Sequence, residues 1–318
     1  MKRLLLTRTF PDATIAAARA IFDVTLRDST AGLTAAEAAE AMQHHDAILC
    51  TLGDAFTAEA FATNHLRCGM ISSFGVGHNH IDLSAAQRAG VQVSNTPDVV
   101  TDATADIAMT LILMAARRAG EGERLVRAGG WTGWHPTQML GAHVTGKRLG
   151  IIGMGRIGQA VARRAHYGFD MKVIYFNRSE KDVDVPSRQV PDLHSLMSQS
   201  DVVVVTVPGG GDNAHLIDAA ALAQLDDGAI FVNVARGDVV DEGALIAELT
   251  RGRIRAGLDV YAREPSVPAA LTTLENVVLL PHLGTAALEV REAMGQMALD
   301  NVIAWAAGQR PPQALWVS

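Results

Sequence analysis

A glycine-punctuated turn between an apolar strand and a helix constrains this chain more than any other stretch. Residues 149–158 read Leu-Gly-Ile-Ile-Gly-Met-Gly-Arg-Ile-Gly, and a helix-forming run at 159–165 follows. Gly153 allows the tight turn, Gly155 lets backbone approach a pyrophosphate, and Gly158 lets helix and strand pack closely. The start of the helix then offers unpaired N–H groups and the positive end of its dipole to phosphates. A GxGxxG pattern alone also arises for purely structural reasons. Here a second apolar strand, 172–176, ends about twenty residues later, where the ribose-reading residue of a dinucleotide site belongs.

On both sides of this unit, short apolar strands alternate with helical stretches. Strands are expected at 3–7, 47–50, 70–74 and 91–94, and helices at 14–21, 35–43 and 83–89. Thr34 with Glu37 has the form of a capping box, in which each end satisfies an orphan N–H of the other. Residues 101–128 read as one long connecting helix, and the Trp-, Pro- and His-rich segment 131–140 as irregular. A second series of strands then runs through 148–152, 202–207, 229–234, 255–260 and 277–280. The last helix, 286–307, lies beyond the final strand of that series and is expected to return to the first domain, ahead of a short tail at 311–318. Repeated β-α-β alternation implies α/β architecture with doubly wound parallel sheets. The expected division is residues 1–98 with 284–318 as a substrate domain and 99–283 as the dinucleotide-binding domain.

Composition narrows the class. With 318 residues, 48% hydrophobic and 19% charged, the chain has material for two cores and no sign of disorder. A net charge of −7 and a pI near 5.9 argue against nucleic-acid and anionic-membrane partners. Cys50 and Cys68 form no metal-binding or redox spacing and read as small buried side chains. The apolar run at 4–6 is too short for a signal peptide, and 107–116 is too short for a membrane span, so a cytoplasmic protein is expected.

Three further places sit just after expected strands, where ligands collect in open α/β sheets. Asn233-Val234-Ala235-Arg236-Gly237 puts an arginine at a strand end, where its planar fork suits a carboxylate. Asp259-Val260-Tyr261 leads to Glu264-Pro265, and Pro281-His282-Leu283-Gly284 ends the last strand. Each is ordinary alone: most arginines are surface residues, and most lone histidines and glutamates are structural. Together a histidine and a carboxylate from neighbouring strands form a pair in which the carboxylate holds the imidazolium.

In order and separation these motifs resemble those of the D-isomer-specific 2-hydroxyacid dehydrogenases. Phe74-Gly75-Val76-Gly77-His78-Asn79-His80-Ile81-Asp82 resembles that family's substrate loop, so the likeness covers nearly the whole chain. It implies a flavodoxin-like substrate domain and a Rossmann cofactor domain, with the active site in the cleft between them. It also implies a catalytic set. His282 would be the general acid/base, Glu264 would keep it protonated near neutral pH, and Arg236 would anchor the carboxylate and polarise the ketone. Backbone at Val76 and Gly77 would bind the same carboxylate, with His78 facing substrate. Gly153, Gly155, Arg156, Ile157, Gly158, Val207, Val234, Asp259, His282 and Gly284 would line the cofactor. The remaining histidines, including His44, His45 and His80, read as surface or packing residues, and the chemistry needs no metal.

Two departures bear on specificity. Where NAD-preferring members place an aspartate, this chain has Asn177-Arg178-Ser179, which removes a carboxylate and supplies partners for a 2′-phosphate. NADPH is therefore the expected cofactor, with NADH possible; a polar turn tolerant of both is the plainer alternative. Pro208-Gly209-Gly210-Gly211-Asp212-Asn213 stands where the family more often has a Pro-x-Thr-type loop; so many glycines suggest a flexible or close-packed loop by the adenosine, with no selectivity assigned to it. The segment from Trp131 through Trp134 to Gly141 is similar to one in glyoxylate/hydroxypyruvate reductases that reaches into the partner subunit's site. Trp134 would there select small 2-oxo acids in a homodimer, whereas dimer packing alone is the plainer reading. Other 2-oxo acids (pyruvate, phenylpyruvate, 3-phosphohydroxypyruvate), a formate or phosphite dehydrogenase, and a non-catalytic nucleotide-sensing protein on the same fold are the alternatives.

Overall fold

The computed structural model describes residues 1–63 and 65–316; Val317 and Ser318, which end the expected tail, lie outside them. The chain divides into two compact units, Met1–Val100 with Thr285–Ser318, and Thr101–Gly284.

The first unit is built on β1 (Arg3–Leu6), β2 (Asp23–Leu26), β3 (Ala47–Cys50), β4 (Met70–Ser73) and β5 (Gln92–Ser94). All pair in parallel, in the flavodoxin-like order β2-β1-β3-β4-β5. The central strands β3 and β4 are buried at every position, as expected of a parallel sheet covered on both faces. Edge strand β2, Asp-Val-Thr-Leu, alternates exposed and half-buried residues, so it has no continuous apolar run to announce it. The helix Ala35–His44 does open on a capping box: the Thr34 hydroxyl accepts from Glu37 N–H, and Thr34 N–H donates to the Glu37 carboxylate at 2.7 Å. Helix Leu288–Ala306 closes this unit. Its Ala298, Leu299 and Val302 are fully buried in one cluster with Leu4, Leu6, Leu49 and Met70, and the Ser72 hydroxyl donates to Ala298 O at 2.9 Å.

The second unit contains β6 (Arg148–Ile152), β7 (Lys172–Phe176), β8 (Ser187–Gln189), β9 (Val202–Val205), β10 (Ile230–Asn233), β11 (Arg255–Leu258) and β12 (Val277–Leu279). These form one parallel sheet, ordered β12-β11-β10-β9-β6-β7-β8. The winding direction reverses between β6 and β9, which makes that point the topological switch where a dinucleotide crosses such a sheet. One face is covered by helices Thr101–Arg117 and Arg156–Phe169 over Leu149, Ile151, Val204 and Val232. The other carries a second cluster around Ile152, Val203, Val205 and Phe231.

The single helix expected over 101–128 is corrected. It is two helices, Thr101–Arg117 and Ala119–Arg127, broken at Arg118, whose φ of +54° is left-handed. Arg118 Nε donates to Glu121 Oε2 at 2.8 Å, so its side chain is tied into the second helix's first turn. The break itself falls on an arginine, with Gly120 and Gly122 just beyond it in the first turns of the second helix. Among the described residues no helix is long and apolar enough to cross a membrane.

Candidate active site

Strand register gathers the motifs at one edge. Phe176, Ile152, Val205, Asn233, Leu258 and Leu279 are successive partners across β7, β6, β9, β10, β11 and β12. The segments that follow them therefore leave the sheet side by side. They carry Asn177–Ser179, the glycine turn, the 207–211 loop, Arg236, Glu264 and His282.

The glycine turn has the form a pyrophosphate needs. Gly153 has φ +97°, and a Cβ there would meet Val207 Cγ1 at 2.7 Å. A Cβ on Gly158 would lie 2.3 Å from Gly153 O, so this glycine is required by helix–strand packing. At Gly155 a Cβ would meet nothing within 4 Å: the space beside it is open to a ligand rather than filled by protein. Gly155 also stands at the N-cap of helix Arg156–Phe169, where it supplies no side-chain cap of its own. Met154 points into the core, Ile157 is half-buried, and Arg156 is exposed at the helix start. The residues present fit a dinucleotide phosphate group. The Thr206 hydroxyl, from the end of β9, donates to Gly153 O at 2.6 Å and holds the turn from beneath.

At the end of β7, Asn177 Oδ1 accepts from Met154 N–H at 3.2 Å and its amide donates to Ser179 O at 2.7 Å. The side chain thus shapes the turn that presents Arg178 and Ser179 to solvent. Arg178 makes no hydrogen bond or ion pair among the described residues.

Arg236 stands on a turn organised by Asn233, the one polar residue of an otherwise apolar strand. Asn233 is buried; its Oδ1 accepts from Ala235 N–H at 3.0 Å and its amide donates to Arg236 O at 2.9 Å. Gly237 packs against the Tyr261–Ala262 backbone, where a Cβ would lie 1.9 Å from Tyr261 C. Burial draws the Arg236 guanidinium down from its ordinary value, opposed by the charges of Glu264 and Asp238.

His282 Nδ1 lies 2.7 Å from Glu264 Oε2. Both side chains are about one-third exposed, so the pair is reachable by a ligand. Burial pushes the Glu264 carboxyl up, but the hydrogen bond and charge of His282, the Tyr261 N–H and the Arg236 charge outweigh it and leave it below the usual glutamate value. Tyr261 N–H donates to Glu264 Oε1 at 3.1 Å, and the buried Tyr261 hydroxyl donates to Leu280 O at 2.9 Å.

The backbone under His282 is strained, with φ +55°. A left-handed non-glycine residue costs about 1–3 kcal/mol and needs surrounding structure to hold it. Asp259 does so. Its carboxylate accepts from Leu283 N–H at 2.6 Å and Gly284 N–H at 2.8 Å, while Asp259 O accepts from His282 N–H at 2.9 Å. Burial raises the Asp259 carboxyl above an ordinary aspartate, and those two N–H groups oppose the rise. Val234 is buried beside Arg236 in sequence, and Val207 is half-buried against the glycine turn.

In the first unit, the loop after β4 is held by Asn95, whose amide donates to Val76 O at 2.8 Å, and by Thr96 N–H on Gly75 O at 3.0 Å. The backbone N–H groups of Val76, Gly77 and His78 donate to no described residue. They form a run of consecutive donors suited to an anion. His80 Nε2 lies 3.8 Å from Cys50 Sγ, and His45 Nδ1 lies 3.0 Å from Ala41 O. Both cysteines are buried and free. Trp134 is 80% exposed and makes no hydrogen bond to Arg236, Glu264 or His282 among the described residues.

Four residues here had no role assigned from sequence: Asn233 and Tyr261, which stand inside quoted motifs, and Thr206 and Asp238, which do not. Only Asn233 and Tyr261 had a signal, as polar groups inside apolar strand-end motifs.

The chain is similar to known proteins over nearly its whole length. Residues 109–284 match the family model described as D-isomer specific 2-hydroxyacid dehydrogenase, NAD binding domain. A glyoxylate reductase of Pyrococcus horikoshii is 38% identical, covering 98% of this chain and 94% of the relative. A glycerate dehydrogenase of Hyphomicrobium methylovorum is 38% identical over 99% of both. Among solved structures, an NADPH-dependent glyoxylate/hydroxypyruvate reductase from Sinorhizobium meliloti, in complex with NADP and malonate, is similar with a TM-score of 0.88 at 30% identity, over 99% of this chain and 96% of that one.

Proposed function

The chain belongs to the D-isomer specific 2-hydroxyacid dehydrogenases, and we propose that it reduces small 2-oxo acids, glyoxylate and hydroxypyruvate, to 2-hydroxy acids with NADPH. The observation that carries the chemistry is the 2.7 Å contact between His282 Nδ1 and Glu264 Oε2 on the sheet edge that also bears the glycine turn. An ionised carboxylate only accepts hydrogen bonds, so the proton of that contact sits on Nδ1 and Nε2 is left for substrate. A bound nicotinamide dinucleotide supplies the hydride. As the keto carbon is reduced, charge grows on its oxygen. His282 enters this step as the imidazolium, with protons on both ring nitrogens, gives the Nε2 proton to that oxygen and is left neutral with Nδ1–H still on Glu264. Arg236 grips the substrate carboxylate with its fork and lies beside the growing charge. Within the first unit, the backbone donors at Val76 and Gly77, with His78 next in the chain, are of the kind that suits an anion. Oxidation runs these steps backwards, with His282 as base. The glycerate dehydrogenase relative favours that direction for the hydroxypyruvate pair as a second reading.

Asn177, Arg178 and Ser179 support NADPH over NADH: the turn carries no carboxylate to repel a 2′-phosphate, and Arg178 is exposed to receive one. Exposed Trp131 and Trp134 on one segment support a homodimer in which a second copy covers them. The test is NADPH and NADH oxidation followed by absorbance across glyoxylate, hydroxypyruvate, pyruvate and phenylpyruvate. Fast turnover with NADPH and the first two is expected. Turnover confined to the larger acids overturns the substrate assignment, and tight cofactor binding without turnover favours a nucleotide-sensing role.

A further inference from the structure

The glycine-rich loop after β9 is firmly held. Gly210 N–H donates to Asp238 Oδ2 at 2.7 Å, His215 N–H donates to Asp238 O at 2.8 Å, and the Asn213 amide donates to Pro208 O at 3.0 Å. Gly209 lies flush against the arginine turn. A Cβ built on it would stand 2.7 Å from Arg236 Cγ, 2.8 Å from Arg236 Cβ and 2.6 Å from Asp238 Oδ1, approaches that real Cβ atoms do not make. The missing side chain at 209 therefore lets backbone lie along the stem of Arg236. The only hydrogen bond of the Arg236 guanidinium among the described residues runs from Nη1 to the neighbouring Ala235 O at 2.7 Å. The backbone beside its stem therefore bars the swing of this long side chain toward residue 209.

We infer that Asp238 is a positioning residue for Arg236: by holding Gly210 it presses the Gly209 backbone against the Arg236 stem and fixes where the guanidinium meets the substrate carboxylate. This rests on Arg236 being the carboxylate anchor. Asp238 touches neither substrate nor reacting atoms; its negative charge also favours the charged arginine beside it. The loop that replaces a Pro-x-Thr-type segment thereby gains a role on the substrate side of the site.

The test compares Gly209→Ala, Asp238→Ala and Asp238→Asn, each alone and with Arg236→Lys, by KM for glyoxylate, KM for NADPH and binding of oxamate to the enzyme–NADP complex. Gly209→Ala and Asp238→Ala are expected to raise the glyoxylate KM and weaken oxamate about tenfold or more while moving the NADPH KM less than about twofold. Asp238→Asn keeps an acceptor for Gly210 N–H and is expected to restore most of the loss. Gly211→Ala is the control for loop strain: φ there is +54° and a Cβ would meet nothing within 4 Å, so it leaves oxamate binding near normal. In the Arg236→Lys background the Gly209→Ala effect is expected to shrink to less than about twofold. Equal effects in both backgrounds, or parallel rises in both KM values, overturn the inference. So does normal oxamate binding in Gly209→Ala and Asp238→Ala when Arg236→Lys weakens it. Normal oxamate binding in Arg236→Lys overturns the anchor reading itself, a distinguishable failure.

Discussion

The Tyr261 hydroxyl donates to the Leu280 carbonyl at 2.9 Å, tying the segment after β11 to the end of β12 two residues before His282. Through its own N–H, Tyr261 also holds Glu264 Oε1 at 3.1 Å. One residue therefore spans the two strand ends that bring the His282–Glu264 pair together. Tyr261→Phe removes the hydroxyl and leaves the Leu280 carbonyl unpaired, at a cost of about 1 kcal/mol. The expected outcome is a modestly lowered Tm and a kcat reduced a few-fold, with the NADPH KM unchanged. Thermal unfolding and steady-state kinetics check it; a cofactor KM that rises as much as kcat falls would place the effect elsewhere.

The Glu264 carboxyl gives the pH dependence. Its folded pKa is held below the ordinary 4.5, by His282 above all, against the upward push of burial. A depressed value means that its contribution to stability is full above 4.5 and is lost as pH falls through the lower folded value. Reduction should accordingly keep its carboxylate-dependent part down to pH 4.5 and lose it only below. In Glu264→Gln that acid limb is absent, and kcat falls roughly 10- to 100-fold at neutral pH through loss of a charge-assisted hydrogen bond. A pH–kcat series on both proteins reads the limb; an unchanged limb in the variant excludes Glu264 as its source.

The glycine turn separates packing from ligand binding. Gly158→Ala would drive its Cβ to 2.3 Å from Gly153 O, a backbone atom that cannot swing away, and is expected to destabilise the chain. The cost is about 1–3 kcal/mol or more. Gly155→Ala meets no protein atom within 4 Å, so the loss of stability should stay near that of a changed N-cap, about 1 kcal/mol, while the cofactor KM rises about tenfold or more. Denaturant unfolding beside cofactor titration tests both. A Gly155→Ala protein that binds cofactor normally would show that no phosphate passes this point.

These positions also show what was legible in the chain. Strands β3, β4, β9 and β10 are buried at every residue; β3, β9 and β10 stand in the sequence as mostly apolar runs, while β4, Met-Ile-Ser-Ser, is half polar. β2 and β8 escaped because edge strands alternate or are wholly polar, as Ser187–Gln189 is. Arg236, Glu264 and His282 were open to a sequence reading because each lies in the segment that directly follows a strand, three residues past β10, six past β11 and three past β12. Their supports were not. Thr206 reaches Gly153 across 53 residues of sequence, and Asp238 reaches Gly210 across 28, through contacts that only the sheet register creates. The break at Arg118 was hidden for a related reason: no turn-forming residue occupies it, and its side chain is tied into the second helix by Glu121.

Cofactor choice is the sharpest test of the β7 turn. Asn177 spends its oxygen on Met154 N–H and its amide on Ser179 O, so it sets the turn without contributing charge. Arg178 is exposed and makes no hydrogen bond or ion pair among the described residues, leaving its guanidinium for a ligand phosphate. Hydrogen bonds to charged groups contribute about 1.5–3 kcal/mol, or roughly 10- to 100-fold in affinity. Arg178→Ala should raise the NADPH KM by that factor and leave the NADH KM nearly unchanged. Asn177→Asp should act on the same ratio from the other side. Its oxygen can still accept from Met154 N–H, but the new carboxylate repels a 2′-phosphate and accepts from free ribose hydroxyls, so NADH is favoured. Parallel kinetics with both cofactors decide the matter: a ratio unmoved by Arg178→Ala takes the phosphate-reading role from Arg178, and one unmoved by both variants takes it from the whole turn.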